Sequence, residues 1–160
     1  MTKRLQARIA LITGASRGIG AAIARAYAQA GAHVILVART TGGLEEVDDT
    51  IRAAGGSATL VPLDLTQPET IEGLGASVFE RWGRLDILVA NAATLGELAP
   101  VGHIEPEVWE QAIALNLTAN WRLIRAFDPL LRQSNAGRAI FITSSATRLL
   151  PPYWSAYSTT

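Results

Sequence analysis

The sequence predicts an α/β protein built on a doubly wound parallel sheet. Short, almost wholly apolar runs such as HVILVA (33–38) and LDILVA (85–90) read as strands buried on both faces. Stretches of helical pattern separate these runs along the chain, the alternation that lays helices over both sides of a parallel sheet. A glycine-rich stretch, TGASRGIG (13–20), stands where the first apolar run gives way to the first helical pattern.

Taken in order, residues 9–13 form the first strand, and an alanine-rich helix runs from about 18 to 30, where Gly31 stops it. Residues 33–38 are the second strand and 44–54 the next helix, ended by Gly55-Gly56. SATLVPLD carries the third strand, with Pro62 marking its end or a sheet edge. A helix over 68–82 is entered through Thr66 as a cap and Pro68 as a first-turn proline. Residues 85–90 are the fourth strand. Pro106 opens one long helix to about 132, with Val108, Trp109, Ala112, Ile113, Leu117 and Trp121 as its apolar stripe. RAIFIT (138–143) is the fifth strand. No repeat, linker or low-complexity tract divides the chain, so residues 1–160 read as a single domain.

Composition narrows the function. Lys plus Arg and Asp plus Glu balance at 14 each, which gives no electrostatic reason to expect nucleic acid or an anionic membrane as partner. There is no cysteine, and His33 and His103 lie far apart, so neither a disulfide nor a zinc site is expected. No apolar run approaches the ~18 residues of a membrane span, and IALI is too short for a secretion signal. The expected location is the cytoplasm.

Gly14, Gly18 and Gly20 allow the backbone to turn sharply and to approach a ligand with no Cβ in the way. The helix that follows aims its first N–H groups at the same place, which favours phosphate. The spacing is GxxxGxG rather than GxGxxG. TGASRGIG resembles the cofactor motif of the short-chain dehydrogenases/reductases almost letter for letter, and further landmarks of that family recur in order along the whole chain. Asp64 in PLDLT resembles the aspartate that binds the adenine amino group. VANAA (89–93) resembles NNAG, with Asn91 as the matching asparagine and with Ala90 and Ala93 as departures. The resemblance implies a Rossmann fold and a dinucleotide-binding domain. It makes Gly14, Ser16, Arg17, Gly18, Ile19, Gly20, Asp64, Leu65 and Asn91 cofactor contacts.

The second strand ends Val37-Ala38-Arg39, where enzymes preferring NAD usually carry an acidic residue for the ribose hydroxyls. Arg39 and Arg17 instead suit a 2′-phosphate, by charge and by bidentate geometry. NADP(H) is therefore expected, with NAD(H) as the alternative.

The same resemblance supplies the reaction end. Asn116 in LNLT resembles the asparagine of the family's catalytic tetrad, and Tyr157 the tyrosine of YxxxK. The family's serine lies thirteen residues before the tyrosine and seven after the glycine of a GR dipeptide. Both counts reach Ser144, with Ser145 as runner-up. Tyr153 fits neither spacing and reads as substrate loop or packing surface. Tyr157 would be the general acid for carbonyl reduction or the base for alcohol oxidation. Ser144 would hold the substrate oxygen. The expected reaction joins a small-molecule ketone or aldehyde to its alcohol by hydride transfer.

The YxxxK lysine would fall at position 161. A cation ~4 Å from the phenolate, at an effective dielectric near 20, is worth about 4 kcal/mol, enough to bring a phenol towards neutral pH. The chain is thus expected to be the N-terminal part of a longer oxidoreductase, without the C-terminal strands, and inactive by itself. The complete protein is expected to be a homodimer or homotetramer. The competing reading is a non-catalytic nucleotide-binding or cofactor-sensing module. It would use the glycine loop, Arg39 and Asp64 but has no need of Asn116, Ser144 and Tyr157. His33 and His103 read as partnerless, Trp82, Trp109 and Trp121 as packing residues, and Glu45, Glu46, Asp48 and Asp49 as a solvated helix face.

Overall fold

A computed structural model of the chain describes residues 3–160. The apolar runs become five parallel strands: β1 (Ile9–Thr13), β2 (His33–Ala38), β3 (Ser57–Pro62), β4 (Ile87–Ala90) and β5 (Arg138–Phe141). They lie in the order β3-β2-β1-β4-β5. The chain winds outward from β1 to β3, then crosses back to place β4 on the other side of β1. The switch point between β1 and β4 is where such sheets open a crevice at their carboxyl edge.

Two helical layers explain why the strands are apolar throughout. Successive side chains point to opposite faces. Leu11, Ile35, Val37 and Leu88 pack on one side with α3 (Pro68–Trp82) and α5 (Ala119–Arg132). Ala10, Ile12, Val34, Leu36 and Val89 pack on the other with α1 (Gly18–Gln29) and α2 (Thr41–Ala53). Each fully buried Leu or Ile contributes about 1.5–3 kcal/mol. β5 differs: all four of its residues are exposed.

At the amino edge of the sheet, buried Asp86 ties three elements together. It accepts hydrogen bonds from the Ile9 N–H (2.9 Å), Arg8 Nη1 (2.9 Å) and Ser134 Oγ, with Arg84 Nε at 3.3 Å. Burial pushes its carboxyl upward. The hydrogen bonds from Ser134, Ile9 and Arg8 and the charge of Arg84 outweigh burial and hold it below the usual carboxylate range.

Several expectations are corrected here. α2 begins at Thr41, three residues earlier than predicted, in spite of Gly42-Gly43. Gly43 is there for contact: a Cβ on it would lie 2.9 Å from that of Ser16. Thr66 does not cap α3, because its N–H and hydroxyl both bond Asp64 Oδ1 (2.9 and 2.8 Å). The single long helix is instead α4 (Pro106–Ala112), a π-helical stretch (Ile113–Thr118) and α5. Its buried stripe is Ala112, Asn116, Ala119, Leu123, Phe127 and Leu130, while Leu117 and Trp121 are about half exposed (52% and 51%). Trp121 is therefore only half packed within this chain, with the Arg122 and Arg125 guanidinium groups 5.8 and 5.4 Å from its ring centre. Asp48 is buried and paired with Arg52 at 2.7 Å, not solvated. His33 has partners after all: its ring nitrogens lie 2.9 Å from the Ser57 and Thr59 hydroxyls, and its ring 5.4 Å from that of Trp82. Burial, then the charge of Arg81, lowers its pKa.

No helix among the described residues is long and apolar enough to cross a membrane, and among them no cluster of three His, Cys, Asp or Glu could hold a metal ion.

Candidate active site

The carboxyl ends of the strands carry two adjoining cavities. The first, about 460 Å³, opens over β1, β2 and the ends of β3 and β4. Of the residues expected to hold a dinucleotide, Gly14, Ser16, Arg17, Gly18, Ile19, Arg39, Asp64, Leu65 and Asn91 line it. Gly20 does not. It sits behind the loop, where a Cβ would overlap the Gly14 carbonyl oxygen and lie 2.7 Å from Asn91 Nδ2.

The loop is held by hydrogen bonds to the neighbouring strand. The Thr13 hydroxyl accepts from the N–H groups of Asn91 (2.9 Å) and Ala92 (3.0 Å). Asn91 Nδ2 donates to the Thr13 carbonyl at 2.9 Å. Asn91 thus faces the cavity while its amide braces the glycine loop.

The cavity suits a dinucleotide. Gly18 has a left-handed φ of 56° and open space where a Cβ would stand, so it is not shaped by packing against the protein. α1 begins at Gly18 without a side-chain cap and without an acidic residue in its first turn, which leaves its positive end to an incoming anion. Ile19 lines the cavity while 60% exposed. The guanidinium groups of Arg17 and Arg39 form no ion pair among the described residues. Asp64 spends Oδ1 on Thr66, and Oδ2 accepts no hydrogen bond among the described residues, leaving an acceptor for an amine.

The second cavity, about 230 Å³, is lined by Ala93, Thr94, Leu95, Ser144, Trp154 and Tyr157. Ala93 is common to both cavities, so they meet there. Ser144 lines the second cavity and Ser145 does not. Ser144 Oγ accepts the Ala146 N–H at 3.2 Å, which leaves its own proton free to be donated. Tyr157 belongs to the short helix α7 (Ser155–Ser158), with the Trp154 ring edge-on at 6.0 Å.

Two left-handed non-glycine residues precede α7: Leu150 at φ 46° and Tyr153 at φ 69°. Such conformations cost roughly 1–2 kcal/mol each, and they flank the Pro151-Pro152 turn that brings Trp154 to the cavity.

Asn116 stands behind this wall. It lies in the π-helical stretch, buried, and grips Thr94 by both backbone groups. Its Oδ1 accepts from the Thr94 N–H and its Nδ2 donates to the Thr94 carbonyl, each at 2.9 Å. The second Nδ2 proton goes to Thr160 Oγ1 (2.9 Å). Asn120 Nδ2 donates to the Asn116 carbonyl at 2.6 Å. Asn116 therefore acts on the cavity through Thr94.

Sequence reasoning missed Thr13, Thr40, Thr94 and Leu115. Thr40 adjoins Arg39, and its place at the strand end could have signalled it. Thr13 and Thr94 act through backbone groups of residues far away in the chain, which leave no local signal.

The chain matches the family model described as short chain dehydrogenase over residues 8–160. It is 34% identical to the short chain dehydrogenase pigC of Monascus ruber, over 97% of this chain and 53% of that protein. It is 35% identical to the uncharacterized oxidoreductase YciK of Escherichia coli K12, over 96% and 62%. Among solved structures, a metagenomic short-chain oxidoreductase in complex with NADP superposes with a TM-score of 0.93 at 39% identity, over 98% of this chain and 71% of that one. The short chain dehydrogenase from Shigella flexneri gives 0.93 at 35%, over 99% and 64%. The chain spans a little over half the length of the curated relatives it matches.

Proposed function

The chain belongs to the short-chain dehydrogenase family, and from that premise we propose that it carries the cofactor site and the proton-handling hydroxyls of an NADP(H)-dependent oxidoreductase acting on a carbonyl or its alcohol. One observation carries the reading. A cavity with an uncapped helix start and two unpaired guanidinium groups adjoins, through Ala93, a cavity holding Ser144 and Tyr157.

The residues divide the work. The first turn of α1, with Gly14 and Gly18, takes the pyrophosphate. Asp64 Oδ2 accepts from the adenine amino group. Arg17 and Arg39 take the 2′-phosphate, each hydrogen bond to a charged group being worth about 1.5–3 kcal/mol. When bound, the nicotinamide supplies the hydride that makes the carbonyl carbon a carbinol carbon. Ser144, already an acceptor for Ala146, donates a hydrogen bond to the substrate oxygen and orients it, keeping its own proton. Tyr157 then gives its phenolic proton to that oxygen as the C=O π bond opens, and takes one back in the alcohol direction. Asn116 positions the wall at Thr94.

Dissociation constants for NADPH and NADH test the cofactor assignment. NADPH is expected to bind at least about tenfold tighter, and Arg39→Ala to remove about 10- to 100-fold of NADPH affinity while sparing NADH. Equal binding of the two cofactors sinks it. NADPH consumption with a panel of ketones, compared between the chain extended at its C-terminus to the length of its relatives and the Tyr157→Phe and Ser144→Ala variants of that extended chain, tests the chemistry. Tight NADPH binding with rates the same in all three would favour a cofactor-sensing module instead.

A further inference from the structure

Glycine is a poor helix former, yet α2 carries two in its first turn, Gly42 and Gly43. Neither has a left-handed φ, so neither is there for its backbone conformation. The two differ in what surrounds them. A Cβ on Gly42 would meet nothing within 4 Å. A Cβ on Gly43 would lie 2.9 Å from the Ser16 Cβ, 3.3 Å from the Ser16 carbonyl oxygen and 3.3 Å from Thr40 Oγ1. Gly43 thus fills the joint between the glycine loop and the end of β2, with a neighbour on each side. Those neighbours adjoin the two cations of the first cavity in sequence. Ser16 precedes Arg17, Thr40 follows Arg39, and all four line that cavity. None of them lines the second cavity or belongs to α6 (Ala146–Leu149) or α7, so a change at the joint is separate from the reaction end.

Both sides of the joint are anchored. The Ala15 N–H donates to the Val37 carbonyl at 3.1 Å and Ala15 is fully buried, which pins the loop to β2 immediately before Ser16. Leu44, which follows Gly43, is fully buried and keeps α2 from backing away. A methyl added at Gly43 would therefore be relieved at Ser16-Arg17 and at Arg39-Thr40, changing how the two guanidinium groups are spaced. A 2′-phosphate needs both groups on it at once; a bare ribose hydroxyl does not. Gly14, Gly18 and the start of α1, where the pyrophosphate is assigned, are not among the nearest neighbours of that methyl. We propose that Gly43 is a positioning residue for cofactor choice. Its lack of a side chain sets the gap across which Arg17 and Arg39 close on the 2′-phosphate, and so favours NADPH over NADH. The proposal rests on the roles given above to the two arginines, and it deepens them by naming what holds them in place.

Fluorescence titration of the C-terminally extended chain and its variants with NADPH and with NADH tests it. Gly43→Ala is expected to weaken NADPH about tenfold and NADH less than about threefold, so that the ratio of the two affinities falls. Gly42→Ala, with open space around it, is expected to leave both unchanged. On a Ser16→Gly background the facing Cβ is gone, and there Gly43→Ala is expected to weaken NADPH less than about threefold. NADPH binding as indifferent to Gly43→Ala as to Gly42→Ala would overturn the proposal. Equal losses for the two cofactors would overturn it too, as would an undiminished loss on the Ser16→Gly background. Where Gly43→Ala alone does not fold, the pair with Ser16→Gly decides: a folded double variant that keeps the NADPH preference of Ser16→Gly supports the joint, and an unfolded one overturns it. A parent chain that binds NADPH and NADH equally would remove the 2′-phosphate reading together with this one. An NADPH-preferring parent indifferent to Gly43→Ala would remove this one alone.

Discussion

The glycine-loop cavity and the Ser144–Tyr157 cavity share an edge of the sheet and are held in opposite ways. Behind the first stand β1, β2 and β4, buried along almost their whole length, and its loop is braced by Thr13 and Asn91. Behind the second stands β5, exposed at every residue, followed by two helices of four residues each and two left-handed non-glycine residues. A pyrophosphate needs backbone N–H groups in fixed places, and a packed core fixes backbone. A substrate pocket needs side chains that can vary, and loops allow variation at little cost to the core.

Substitutions can break this contrast. The largest effect is expected at Asp86, whose removal would strand Arg8, Arg84, the Ser134 hydroxyl and the Ile9 N–H. Asp86→Ala should cost about 3–5 kcal/mol in urea unfolding. The same carboxylate predicts acid sensitivity. Its folded pKa is depressed, so the unfolded chain takes up the proton first as pH falls below the ordinary carboxylate range. Stability present above that range is lost as pH falls through the folded value. An Asp86→Ala variant that loses stability in acid as steeply as the parent would disprove this.

Gly20→Ala comes next, at about 3 kcal/mol with loss of NADPH binding, because the added carbon meets backbone that cannot move. Gly18→Ala, with open space around it, should cost only the left-handed penalty of roughly 1–2 kcal/mol. Similar losses for the two would mean that packing does not shape the loop. The smallest effect belongs to the second region. Leu150→Gly relieves a left-handed leucine while loosening the unfolded chain, and should change stability by less than ~1 kcal/mol. A loss as large as that of Gly20→Ala would erase the difference between the two cavities.

The sheet was legible because its strands bury both faces, so apolar runs and strands coincide; β1 and β2 have their predicted limits. The glycine loop was legible because a turn, a close approach and a helix start all constrain residue type locally. The long helix was misread at one point with a physical cause. Asn116 occupies the buried stripe, satisfied by Thr94, and a polar residue there shifts the apparent apolar phase onto Ile113, Leu117 and Trp121. His33 and Asp48 were misread for the same reason: their partners, Ser57 with Thr59 and Arg52, are ordinary residues until the fold puts them in reach. For the serine pair, counting from two anchors points to the residue that lines the cavity with Tyr157.

One oxygen atom, Oγ1 of Thr13, answers two amides across the seam between β1 and β4. Valine would match threonine in shape at that spot and still fail, since it would leave both amides mute in the interior. Drift at this position is thereby confined to hydroxyl-bearing residues, and the crevice keeps its width by chemistry rather than by bulk.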